Sequence, residues 1–108
     1  MIYTIDELRN HIVPIAKKYK ITAVYLFGSY ARNEAKDESD VDIPIDREGS
    51  SIHGMFDMGG LYSELQASIG KEIDLVTLQT IRQRSTKKRV PGFAENLERD
   101  MVSLYESR

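Results

Sequence analysis

Apolar residues recur along this chain with two periods, and the switches between them divide it into elements. Thr4 with Glu7 three positions later has the form of a capping box, and Ile5, Leu8, Ile12, Ile15 or Ala16, and Tyr19 follow at helical spacing. This predicts a first helix, kinked or broken at Pro14, which has no N–H for the helical ladder. The run Ala23-Val24-Tyr25-Leu26-Phe27 reads as a strand that meets Gly28-Ser29, and Tyr30-Ala31-Arg32 opens a brief helix. Asn33 to Ser39 is a polar connection. Val41, Ile43 and Ile45 alternate with Asp40 and Asp42, the period of a second strand.

Arg47 to Ser51 is a loop by its turn residues. Met58, Leu61, Tyr62, Leu65 and Ile69 predict the next helix, with Gly70 suited to the left-handed position after its end. Gly59-Gly60 predicts a late or frayed start to that helix. Glu72 to Thr77 is a β-branched run, a third strand. Phe93, Leu97, Met101 and Leu104, with Tyr105 beside them, predict a closing helix. The order α-β-α-β-α-β-α describes an α/β (α+β) domain, a small mixed sheet flanked by helices. The connection between the first two strands is too short for a parallel crossover, so that pair is expected to be antiparallel.

Chemistry enters with the polar residues at the strand ends. Gly28-Ser29 lies at a strand-to-helix turn, where backbone N–H groups can face a phosphate. After ten intervening residues, Asp40 and Asp42 are two apart on a strand and are expected to project together. Paired carboxylates in a partly buried site repel unless a cation neutralises them, and Mg2+ favours carboxylate oxygens combined with substrate phosphates. Asp74, on the third strand, adds a third acid. Three carboxylates on two neighbouring strands can hold a metal pair about 3.5–4 Å apart, the arrangement for in-line attack of a hydroxyl on a nucleoside triphosphate. Asp74 would also orient the attacking hydroxyl or accept its proton.

The run Leu26-Phe27-Gly28-Ser29-Tyr30-Ala31-Arg32 through Ser39-Asp40-Val41-Asp42, with the later Asp74, resembles the signature of the polymerase-β-like nucleotidyltransferases. Nearly the whole chain is similar to their minimal nucleotidyltransferase (MNT) branch. The resemblance implies a polymerase-β palm-like fold, a Gly28-Ser29 turn that holds the triphosphate of ATP, and Asp40, Asp42 and Asp74 as ligands of Mg2+. It also implies a partner, a HEPN-domain toxin neutralised by transfer of AMP to a tyrosine. The pattern differs from the family's in two places. Asn33 stands where glycine is common, and asparagine tolerates the same left-handed backbone. Pro44 stands where an aliphatic residue is usual, which predicts that its strand is at an edge or end there.

At 108 residues the chain has the size of one domain, with 41% hydrophobic and 30% charged residues and no cysteine. That composition excludes disulfides, a thiolate nucleophile and a cysteine zinc site. An amino terminus that turns acidic at Asp6-Glu7 argues against a secretory leader, so a cytoplasmic protein is expected. A net charge of -2 argues against broad nucleic-acid binding. A basic run, Arg82, Arg84, Lys87, Lys88 and Arg89, reads either as solvated surface or as a contact for an acidic partner. Arg32 either meets a phosphate or anchors the turn to the acidic connection. His11 and His53 read as surface or interface residues, Tyr30 as packing or a base-stacking platform, and Asp37-Glu38 as a solvated loop.

Transfer of AMP to a partner protein is therefore the leading reading. Its rivals are a binding module that neutralises a toxin by occlusion and a small-molecule adenylyltransferase, for which the chain has no second domain to build an acceptor pocket.

Overall fold

The computed structural model describes residues 2–81 and 101–107. Helix α1 spans Ile5–Lys18 and opens on the capping box, in which Glu7 N donates to Thr4 Oγ1 (3.1 Å) and Thr4 N to Glu7 Oε1 (2.9 Å). Acidic Asp6 and Glu7 at its start and basic Lys17 and Lys18 at its end complement the helix dipole. Pro14 does not break it. Asn10 and Pro14 both lie on the solvent face, so water can take the hydrogen bond that the Asn10 carbonyl loses.

Strands β1 (Ala23–Leu26) and β2 (Val41–Asp46) are followed by helix α2 (Met55–Ile69), strand β3 (Ile73–Thr77) and strand β4 (Val102–Glu106). The sheet order is β3-β2-β1-β4. β1 is antiparallel to both β2 and β4, while β2 and β3 are parallel, so the sheet is mixed as expected. Val24 and Leu26 of β1 and Val41, Ile43 and Ile45 of β2 join Leu8, Ile12 and Ala16 of α1 and Leu61, Leu65 and Ile69 of α2 in one core. The helices thus cover one face of the sheet, and Asp42, alternating with those residues, belongs to the other. Among the described residues no helix is long and apolar enough to cross a membrane.

Two expectations about the strands are corrected. The segment carrying Met101, Leu104 and Tyr105 is not a helix; it is β4, paired with β1 in the register Val24↔Tyr105 and Leu26↔Val102. Met101 and Leu104 are three apart, a spacing a short apolar segment shows in either state, and pairing with a distant strand decides between them. Phe93 and Leu97 lie outside the described residues, as does the basic run Arg82 to Arg89. Pro44 is not at a sheet edge, because β2 is flanked by β1 and β3. Its missing N–H falls where β1–β2 pairing is interrupted, between Val24↔Ile45 and the bridge Phe27↔Asp42.

Helix α2 also starts earlier than the glycine pair implied. Met55 and Phe56 are 90% and 95% exposed, so the apolar stripe begins only at Met58. Gly60 brings the helices together, since a Cβ there would lie 3.1 Å from the Tyr19 hydroxyl. Gly70 ends α2 in the left-handed conformation, φ 73°, as its sequence position implied.

Candidate active site

Gly28 and Asp42 are brought together by one backbone link. Phe27 N donates to the Asp42 carbonyl (3.0 Å), which sets the residue after Phe27 against the Asp42 side chain. Gly28 has φ +77°, and a Cβ built on it would lie 2.3 Å from Asp42 Oδ2. Only glycine fits this position, on both backbone and steric grounds.

The chain beyond Gly28 makes a single turn rather than the expected brief helix. Arg32 N donates to the Gly28 carbonyl (3.1 Å), Asn33 N to Tyr30 (3.3 Å) and Glu34 N to Ser29 (2.8 Å). Asn33, at φ 60°, takes the left-handed position, so the paired bonds from Asn33 and Glu34 form a Schellman closure. The turn's own hydrogen bonds begin at the Arg32 N–H. They leave the amides of Ser29, Tyr30 and Ala31 at its open end, the geometry that suits an anion.

The carboxylates meet across the β2–β3 ladder. Asp42 and Asp74 are register partners on parallel strands, so their side chains share a face. Val41 N donates to the Glu72 carbonyl (3.0 Å) and secures the beginning of that ladder. Asp40 lies just ahead of β2 and is exposed, as is Asp74, while Asp42 is half-buried. Burial pushes the Asp42 carboxyl above the usual carboxylate range, with the negative charges of Asp74 and then Asp40 adding to the shift and Arg32 opposing it. Arg32 is therefore at the margin of the site, where its Nε also pairs with Glu34 Oε2 at 3.2 Å.

These oxygens suit a hard cation. Among the described residues no group of three or more His, Asp or Glu side chains is gathered closely enough to hold a metal ion by itself. Mg2+ does not need one, since it is commonly held by one or two carboxylates together with substrate phosphates and water. The like charges around a half-buried Asp42 are the local signature of a place that gains from a cation.

The two histidines lie elsewhere. His11 Nδ1 is 2.9 Å from Ser68 Oγ, between α1 and α2, and its ring packs edge-on against Tyr3. His53 lines a cavity of ≈ 530 Å³ with Arg47, Ser50 and Gln79, beyond the far ends of β2 and β3. That cavity sets no carboxylate pair against a glycine turn; the Gly28–Asp42 contact lies at the other end of β2. Asp37 and Glu38 are exposed, as the loop reading implied. The sequence reading overlooked Lys71, whose Nζ reaches the Asp37 carbonyl at 2.7 Å. An isolated lysine after Gly70 carries no signal of that contact.

Residues 10–97 match the family described as polymerase beta, nucleotidyltransferase. The chain belongs to this family of nucleotidyltransferases. Among its relatives, a candidate protein adenylyltransferase of Methanocaldococcus jannaschii is 41% identical over 78 residues, covering 71% of this chain and 81% of the relative. The protein adenylyltransferase MntA of Thermococcus cleftensis is 29% identical over 103 residues, covering 92% and 94%. A toxin–antitoxin structure containing AMP-PNP superposes on 93% of this chain and 74% of that one, with a TM-score of 0.64 and 21% identity, a likeness of fold.

Proposed function

We propose that this nucleotidyltransferase is an antitoxin that moves AMP from ATP, with Mg2+, to a hydroxyl of its cognate toxin, a tyrosine of a HEPN-type protein. The observation that carries the reading is the Gly28–Asp42–Asp74 juxtaposition, a bare backbone turn pressed against one carboxylate whose register partner shares its face. The adenylyltransferase names of the relatives and the toxin–antitoxin fold neighbour support the choice of acceptor.

In this scheme the Ser29 hydroxyl and the open amides of the turn bind the triphosphate, with Arg32 adding positive charge at its margin. Asp40, Asp42 and Asp74 would hold Mg2+; when bound, it neutralises the triphosphate and favours ionisation of the acceptor. Asp74, exposed on β3, orients the acceptor hydroxyl and takes its proton. The oxygen attacks the α-phosphorus, the bond from that phosphorus to the bridging oxygen breaks, and pyrophosphate leaves.

Intact-mass measurement of the neighbouring gene's product, incubated with this protein, ATP and Mg2+, tests the reading. Gain of an AMP unit supports it. A toxin that is neutralised without a mass change, and equally well by Asp42→Asn, would replace it with occlusion.

A further inference from the structure

Among the described residues, Lys71 touches the connection that leads to Asp40. Lys71 immediately follows Gly70 and lies three residues before Asp74. Its Nζ donates to the Asp37 carbonyl (2.7 Å) and stands 5.5 Å from the centroid of the Tyr30 ring. Tyr30 directly follows Ser29 and is only 2% exposed, so the ring is a fixed platform. Asp37 lies in a turn closed by Ser39, with Lys36 N donating to Ser39 Oγ (2.8 Å) and Ser39 N to the Lys36 carbonyl (3.0 Å). Ser39 precedes Asp40.

We infer that Lys71 is a positioning residue, a brace that holds the connection ahead of Asp40 against the Gly28-Ser29 turn and the start of β3. The inference rests on the enzymatic reading above and adds to it a residue that touches neither nucleotide nor acceptor. The physical case is one of geometry. Asp40 lies outside the β2 ladder, and the polar connection before it contributes little to the core, so its position depends on discrete contacts. A charge-assisted hydrogen bond to the middle of the Ser39 turn, on a lysine whose charge also sits over a buried ring, supplies such a contact. Arginine could reproduce both interactions; methionine could reproduce neither.

The test compares wild type, Lys71→Met and Lys71→Arg as full-length chains, by amide hydrogen exchange over residues 33–41 and by steady-state transfer. Lys71→Met should exchange faster over 33–41 with α1 unchanged, and its kcat should fall by up to about 10²-fold with nucleotide affinity little altered, the pattern of misplaced reacting groups. Lys71→Arg should restore both. Unchanged exchange in Lys71→Met, or loosened exchange with an undiminished kcat, would overturn the brace. If wild type transfers nothing, the enzymatic reading falls, and the exchange comparison still decides whether Lys71 holds the connection.

Discussion

Gly28 and Asp42 stand so close that a single added methyl group would meet a carboxylate oxygen at 2.3 Å. The contact joins the two halves of the proposed site, because the turn proposed to bind a phosphate cannot move without moving the acid proposed to bind a cation. Gly28→Ala should therefore displace the Asp42 side chain and also strain a backbone held at φ +77°. Thermal unfolding should show a loss of about 1–2 kcal/mol from the left-handed conformation alone. Transfer should drop by about 10²-fold or more through misplacement of the turn.

Asp42→Asn should leave the apo protein more stable at neutral pH. Burial and the charges of Asp74 and Asp40 raise the Asp42 carboxyl in the folded state, so the folded protein holds this proton more tightly than the unfolded chain does. Wild-type stability should fall as pH rises from the unfolded carboxyl range, about 3.9, through the raised folded value, and level off above it. The variant lacks that decline. Melting curves across this window, with and without Mg2+, measure both effects: Mg2+ should raise the melting temperature of wild type and have much less effect on the variant.

Asp74→Asn should separate binding from chemistry. Asp74 is exposed, and on the proposed scheme it acts on the acceptor hydroxyl, so its main contribution is expected in the transition state. Calorimetric titration should retain appreciable MgATP affinity, while transfer falls by about 10²–10⁴-fold, the usual scale of a lost general base. A parallel loss of both would reduce Asp74 to a metal ligand.

Tyr30→Phe should stabilise the protein. The Tyr30 hydroxyl is buried and has no hydrogen-bond partner among the described residues, whereas phenylalanine keeps the ring beneath Lys71. Removing an unsatisfied buried hydroxyl is expected to gain about 1 kcal/mol, read from chemical denaturation.

Features governed by neighbours in the chain were legible from the sequence. The Thr4–Glu7 cap, the left-handed Gly70, the left-handed tolerance of Asn33 and the alternation of Val41, Ile43 and Ile45 each depend on a few consecutive residues. The strand context of Gly28, Asp40, Asp42 and Asp74 was legible in the same way, while the approach of Gly28 and Asp74 to Asp42 came from pairing between strands. Tertiary structure decided what depends on distant partners. Pro44 sits in an inner strand because the pairing with β1 is interrupted where its N–H is missing, a fact absent from the local pattern. The Met101–Glu106 segment carries an apolar spacing compatible with either helix or strand, and hydrogen bonding to β1 made it a strand. Gly60 and Lys71 gain their roles only when Tyr19 and Asp37 arrive from other elements. Local sequence sets which conformations are cheap, whereas side-chain contacts between remote segments depend on the closing of the whole sheet.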